Sequence, residues 1–376
     1  KISALFVVHP KVRMTIIDLR SIDEVRPAKW GHSEGTSIAC GLCPHRCTIP
    51  EGGLGRCRAR GVVDGTLVSF NYGRICAQVV DQIEKKPIYH YRPGSKLLSI
   101  GTFGCNLDCD CCQNAALASS GPSGRKESLT SPEEVVGFAR SKGVQGIAFT
   151  FNEPVVWSEY ILDVSKIARG AGIYLMMNSN GYVEEEPLSE LLEAVDAFKV
   201  DVKGFTDGFY RNSCGGTLSP VLRTCRRIRD AGRHLELAYL IIPGLNDGKE
   251  ELNDFFGWAA ELGKEVPVHL YRFMPAHRLS HLQPTGMEAM REAKARAVAH
   301  GLKFVYLSGM VEGDEHQTYC PKCRSLVISR AAKEVSEKVV YEGSRLSKFC
   351  PSYSDIDDRT AEGRCPFCGE IIYKSP

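Results

Sequence analysis

Cysteine is the residue that most constrains the chemistry of this chain. There are 16 in 376 residues, and most fall in close-spaced sets. One set is Cys105-x3-Cys109-x2-Cys112, in the run Gly101-Thr-Phe-Gly-Cys105-Asn-Leu-Asp-Cys109-Asp-Cys-Cys112-Gln-Asn. A second is Cys40-x2-Cys43-x3-Cys47-x9-Cys57, and a third pairs Cys320-Pro-Lys-Cys323 with Cys365-Pro-Phe-Cys368. Close-spaced thiols without a secretion signal read as metal ligands in a reducing, cytoplasmic compartment rather than as a disulfide framework. Thiolates suit iron–sulfur clusters and zinc. In the first set, three cysteines on a [4Fe-4S] cluster leave one iron open to a ligand from outside the protein. A zinc knuckle, or a fully ligated cluster using Cys111, is the alternative. Adjacent cysteines rarely serve one cluster, so Cys111 reads as a non-ligand.

Position favours the open cluster. The loop follows the apolar run Leu97–Phe103, which is short enough to be a buried strand. Further runs of this kind are Gly146–Phe151, Gly172–Met177, Ala197–Val202, Leu235–Ile242 and Val268–Phe273, with Leu302–Leu307 a candidate seventh. Helical stretches lie between most of them. Ser131-Pro132-Glu133-Glu134 carries an N-cap serine, a first-turn proline and acids against the helix dipole. Trp157–Arg169, Val221–Ala231 and Glu250–Leu262 read as helices, and Thr285…Glu288 as a capping box opening one that runs to about His300. Alternating strands and helices imply a parallel sheet with right-handed crossovers. The expected fold is α/β, a partial (β/α)6-type barrel with small Cys-rich metal-binding modules at both ends. The expected division is an N-terminal segment over 1–66, the barrel over 67–310 and a zinc-ribbon-like module over 311–376. The segment between the two C-terminal cysteine pairs reads as irregular and charged, with Cys350 outside the metal set. Cys214 and Cys225 read as small buried hydrophobes.

The motifs resemble the radical S-adenosylmethionine (SAM) superfamily, whose Cx3Cx2C loop follows the first strand of such a barrel. Ile83-Glu-Lys-Lys-Pro-Ile-Tyr-His90, Pro93-Gly-Ser-Lys and Ser99-Ile-Gly-Thr-Phe-Gly-Cys105-Asn narrow the resemblance. They are similar to the radical SAM component of the AmmeMemoRadiSam system, a group like pyruvate formate-lyase activating enzyme. The resemblance implies that SAM chelates the open iron. An electron from the cluster then cleaves SAM to methionine and a 5'-deoxyadenosyl radical, which abstracts hydrogen from a protein or peptide residue. A flavodoxin or ferredoxin is the implied electron donor. Two departures are visible: Cys111 stands where the superfamily usually has an aromatic, and Ala115-Ala116-Leu117 replaces an aromatic-bearing segment. Both reshape the space beside SAM, which motivates a second reading, a cobalamin-dependent methyltransferase acting on an unactivated carbon of a protein residue.

Barrel active sites collect at the C-terminal ends of strands. The residues there are Glu153 in Thr150-Phe-Asn-Glu-Pro, Asn178 and Asn180, and Asp201 and Lys203, with His269 on the sixth strand as a further candidate. By resemblance, Glu153 accepts from the SAM amino group, and the Asp201-x-Lys203 pair lies beside its methionine end. No catalytic acid or second radical carrier stands out. Cys40, Cys43, Cys47 and Cys57 suit either zinc or a second cluster, with zinc the expected filling. Cys320, Cys323, Cys365 and Cys368 have the spacing of a zinc ribbon. Net charge is +2, hydrophobic content 43% and charged content 24%. That balance speaks against broad attraction to nucleic acid, and no apolar run is long enough to span a membrane.

Overall fold

The computed structural model describes residues 25–122, 129–308, 313–341 and 344–374, with Leu19 and Ile22 ahead of them. Its centre is an eight-stranded sheet. In spatial order the strands are Ala77–Gln82, Lys96–Gly101, Gly146–Phe149, Tyr174–Ser179, Ala197–Val202, His234–Ile241, Val268–Arg272 and Val305–Ser308. The first pair is antiparallel and every later pair is parallel. The outer two strands do not pair with each other, so the barrel is open along one seam. Helices Pro132–Ser141, Ser158–Gly170, Glu185–Ala194, Ser219–Asp230, Lys249–Gly263 and Met287–Ala299 fill the crossovers. The α/β barrel expected from the sequence is present, with one more parallel strand than six repeats require and an antiparallel strand ahead of them.

Alternation along the strands separates two layers. Ile100, Phe149, Met177, Val200, Leu237 and Leu270 point at the helices and form the main core. On the other face, Leu97, Ala148, Tyr174, Met176 and Ala197 meet Ile83, Ile88 and Tyr91. These last three belong to the segment joining the antiparallel strand to the cluster strand, and that segment fills the barrel interior. Full burial of each large apolar side chain contributes about 1.5–3 kcal/mol.

Two local expectations differ from the structure. The helix near residue 287 has Gly286 at its N-cap with no side-chain cap. Thr285 does not close a capping box: its hydroxyl donates to Ile241 O at 2.6 Å and accepts from Phe273 N at 3.0 Å. Ser131, by contrast, makes the full reciprocal box with Glu134. The stretch between the C-terminal cysteine pairs is an antiparallel hairpin, Leu326–Tyr341 with Ser344–Asp358, and Cys350 lies in its second strand. The boundary expected at 310/311 falls outside the described residues.

The N-terminal part holds two small antiparallel sheets. One is Gly31–Glu34, Ser37–Cys40 and Thr48–Pro50; the other is Arg26–Pro27, Thr66–Ser69 and Arg60–Val63. The C-terminal part shares its core with the barrel. Tyr89, Phe304 and Tyr306 pack with Cys320, Val327, Ile328 and Tyr353. Arg330, fully buried, lies 4.1 Å over the Tyr89 ring and donates to Tyr89 O at 2.9 Å. His90 bonds Ile372 O at 2.9 Å and the Tyr306 hydroxyl at 2.6 Å.

That junction has a pH signature. Burial pushes the His90 imidazole down from 6.5 to about 3. The unfolded chain therefore takes up a proton near 6.5 while the folded chain stays neutral. This contribution is full above pH 6.5 and is lost as pH falls toward 3. Chemical unfolding at about pH 7.5 and about pH 5.5 is expected to show lower stability at the acid value. His90→Phe should reduce that difference, and an unchanged difference would refute the assignment.

Candidate functional site

The cluster loop begins where the strand Lys96–Gly101 ends. Gly104 is required there. Its φ is +89°, and a Cβ on it would lie 2.6 Å from Cys57 O and 3.0 Å from the Ala59 Cβ. Gly104→Ala is expected to cost about 2–4 kcal/mol, combining left-handed strain with a backbone clash. Chemical denaturation measures this, and a cost under about 1 kcal/mol would show that the loop relaxes freely.

From Cys105 onward the loop is held from several sides. Leu107 N donates to Cys105 Sγ at 3.4 Å, and Asn180 Nδ2 approaches the same sulfur at 3.9 Å. Asp108 N donates to Cys214 O at 2.8 Å and Asp110 N to Ser213 O at 2.9 Å. Both acceptors lie in a π-helical turn, Tyr210–Cys214, a local form often found at functional sites. Arg278 spans the loop outside, donating to Asp108 Oδ2 at 2.9 Å and Asp110 Oδ1 at 3.0 Å. Neither the turn nor Arg278 stands out in the sequence. Cys214 is fully buried as expected, and its proximity, with burial, holds the Cys109 thiol well above its ordinary value.

Around the loop stand most of the residues chosen from the sequence. Glu153 is buried, and its carboxylate accepts from Ser179 Oγ and Asn180 N at 2.7 Å and from Val155 N at 3.0 Å. Burial raises it to about 7 against those donors. Asn152 ties this segment to the cluster strand, accepting from Thr102 N at 3.0 Å and donating to Gly104 O at 2.9 Å. The residue before it, Phe151, has φ +75°, backbone strain of a kind found at binding sites. Asn180 also donates to Asn106 Oδ1 at 2.8 Å, next to the first cysteine. Asn178 Nδ2 donates to Lys86 O at 3.0 Å and Thr150 Oγ1 at 3.2 Å, while its Oδ1 is buried with no partner.

Asp201 lies between Lys199 at 2.9 Å and Lys203 at 3.0 Å. Burial works against its charge, but the two ammonium groups outweigh burial and hold the carboxyl below the usual range. Asp201, Cys109 and Cys111 in turn hold Lys203 well above the ordinary lysine value against burial. This places a fixed cation beside two thiols of the loop. Burial pushes Cys111 up to about 12 and Cys105 well above its ordinary value. A bound metal would stabilise ligating sulfurs as thiolates.

His269 is placed elsewhere. It is fully buried, its Nε2 bonds Glu236 and its Nδ1 bonds Ser308 Oγ at 3.2 Å. Glu236 also accepts from Tyr89 N at 2.9 Å and His90 N at 2.7 Å. Both ring nitrogens are thus committed to a network reaching the interior segment, which leaves neither for a cofactor at the cluster loop.

The donor set fits an iron–sulfur cluster with SAM. Three thiols share one loop, a buried carboxylate is aimed by two backbone amides, an asparagine oxygen lacks a donor, and Lys203 supplies positive charge. The superfamily's sequence profile, described as Radical SAM superfamily, matches residues 99–256. The chain belongs to the radical SAM superfamily. Within it, the similarity runs to the activating enzymes. Pyruvate formate-lyase-activating enzyme of Clostridium pasteurianum is 26% identical over 47% of this chain and 73% of its own. The uncharacterized protein MJ0808 of Methanocaldococcus jannaschii is 38% identical over 340 residues, 90% of this chain and 96% of its own. Among solved structures, a radical SAM methyltransferase from Sphaerobacter thermophilus aligns at 16% identity over 58% of this chain and 68% of its own, with a TM-score of 0.46. Superfamily membership implies a [4Fe-4S] cluster and SAM. No helix among the described residues is long and apolar enough to cross a membrane.

Proposed function

We propose that the chain is a radical SAM enzyme that removes a hydrogen atom from a residue of a protein or peptide. The supporting observation is the grouping of Cys105, Cys109 and Cys112 with Glu153, Asn178, Asn180, Asp201 and Lys203 at one end of the barrel. When bound, the cluster supplies one-electron cleavage of SAM to methionine and a 5'-deoxyadenosyl radical. The chain's own residues do the rest. Cys105, Cys109 and Cys112 ligate the cluster. Glu153, held by its three donors, accepts from the SAM amino group. The unpartnered Asn178 oxygen offers a second acceptor, and Lys203 meets the SAM carboxylate while Asp201 fixes its position. The interior segment with Ile83, Ile88 and Tyr91 fills the barrel and keeps water from that side.

A polypeptide substrate is supported by the similarity to activating enzymes, whose names describe action on another protein. A flavodoxin or ferredoxin is the proposed electron donor. The test uses full-length protein reconstituted anaerobically with iron and sulfide. With dithionite and SAM it is expected to release 5'-deoxyadenosine and methionine in equal amounts. Absence of 5'-deoxyadenosine from protein that carries an intact cluster would overturn the reading.

A further inference from the structure

The four C-terminal cysteines converge on a point. Cys320 and Cys368 are 3.5 Å apart at sulfur, Cys323 and Cys365 3.6 Å, and all four sulfurs lie within 4.8 Å of one another. They are the one group of this kind among the described residues. Four thiolates around a single ion with Zn–S of about 2.3 Å stand about 3.8 Å apart, so the spacing is that of a tetrahedral mononuclear site.

Two matching turns build it. In each, the amide of the first cysteine donates forward: Cys320 N to Ser325 O at 2.9 Å, and Cys365 N to Glu370 O at 2.8 Å. In each, the carbonyl of that cysteine accepts from the residue after the second cysteine: Cys320 O from Arg324 N at 3.0 Å, and Cys365 O from Gly369 N at 2.9 Å. That donor residue is left-handed in both turns, with φ of +62° at Arg324 and +73° at Gly369. Glycine takes this conformation freely, but an arginine rarely does. The first turn is therefore held against local preference, and the pair of turns aims four sulfurs at one centre. Ser325 Oγ lies 3.4 Å from Cys323 Sγ, close enough for its hydroxyl to donate to a thiolate there.

Both turns are tied to the barrel interior. Two residues before Cys320, Thr318 Oγ1 meets the Tyr306 hydroxyl at 2.8 Å and accepts from Arg330 Nη1 at 2.8 Å. Arg330 in turn donates to Tyr89 O. Four residues after Cys368, Ile372 O bonds the His90 ring. Cys320 and Cys365 themselves are buried in the cluster that contains Tyr89. The two turns thus grip adjacent residues, Tyr89 and His90, of the segment that fills the barrel. An ion shared by the turns makes them one rigid support for that segment.

We propose that Cys320, Cys323, Cys365 and Cys368 bind one zinc ion, and that this ion holds in place residues 83–95, the segment inside the barrel. Zinc suits the task because it takes four thiolates in a tetrahedron and has no redox chemistry of its own.

Cys323 is exposed and Cys368 half-buried, so serine at both positions removes two ligands with little loss of core packing. The experiment uses full-length protein, produced with iron, sulfide and zinc supplied and purified without oxygen. The variant carrying Cys323→Ser and Cys368→Ser is expected to hold about one zinc per chain less than wild type. Cys323→His should keep the wild-type count, because imidazole replaces a thiolate in Cys3His sites. Cys40, Cys43, Cys47 and Cys57 line a separate small cavity, so metal there is common to all three proteins and cancels from the difference. Amide hydrogen exchange then reads the coupling. Over residues 83–95 the double variant should exchange at least about tenfold faster than wild type, with Cys323→His close to wild type. A double variant that keeps the full zinc count, or that loses iron in place of zinc, overturns the metal site. Loss of one zinc with unchanged exchange over 83–95 overturns the coupling. If the double variant yields no folded protein, Cys323→His decides: the full zinc count supports the site, and a folded chain short of one zinc overturns it. None of these readouts is SAM cleavage, so failure here is distinct from failure of the proposed hydrogen abstraction.

Discussion

Cys105→Ala is expected to lower reductive cleavage of SAM by at least about 10³-fold, because groups that act as one unit fail together. The loop offers no ready substitute. Cys111 is buried between two proposed ligands, and Cys214, at the end of the π-turn, lies near Cys109. Either thiol would have to move to replace the lost one, and the loop is fixed by Asn180, by the amides of Asp108 and Asp110, and by Arg278. The matching expectation is that Cys111→Ala and Cys214→Ala keep iron and keep measurable 5'-deoxyadenosine release. Anaerobic iron analysis and chromatographic detection of 5'-deoxyadenosine read both quantities. Cleavage by Cys105→Ala within about tenfold of wild type would remove that cysteine from the ligand set.

Arg60→Ala is expected to destabilise the chain by about 3–5 kcal/mol, the cost of leaving a buried partner charge uncompensated. Arg60 has no exposed surface, and its guanidinium pairs with the Glu159 carboxylate. It also donates to Lys29 O at 3.0 Å and stacks over Trp30 at 5.4 Å. Glu159 lies on the barrel helix Ser158–Gly170, so the pair joins the N-terminal sheets to the barrel. Arg60→Lys should recover only part of the loss, since a single ammonium cannot reproduce donors directed at Glu159, Lys29 and Cys40. Arg60→Ala combined with Glu159→Gln should be less damaging than the sum of the two single changes. Chemical denaturation at neutral pH measures all four, and an Arg60→Ala cost under about 1 kcal/mol would show that water reaches Glu159.

Much of the barrel is legible because its signals are local. The apolar run Ala197–Val202 coincides in residues and bounds with the observed strand. The cluster loop shows itself through thiol spacing. What escapes a sequence reading depends on distant partners or on misleading local composition. The helix Glu185–Ala194 carries Pro187 in its first turns after a run of acids, which hides its buried face of Leu188, Leu191 and Leu192. The antiparallel strand Ala77–Gln82 is mostly polar or half-exposed and takes its pairing from Lys96–Gly101. Thr285 has the sequence of a cap, but its hydroxyl is taken by two backbone groups of the barrel strands. His269 lies on the sixth strand in sequence, yet Glu236, 33 residues earlier, claims its ring. The contact of Cys214 with Cys109 spans about a hundred residues and leaves no local trace.

The shared core of the barrel and the C-terminal module bears on how such a chain can change over generations. In sequence the module follows the barrel and looks separable from it. In the folded protein, Tyr89 O receives Arg330, the Tyr89 hydroxyl meets Tyr353 at 2.5 Å, and His90 reaches Ile372. Losing the tail would strip partners from the segment that fills the barrel, so the loss acts as a core mutation. Changes in the module are therefore felt inside the barrel, so the two are expected to vary together rather than independently.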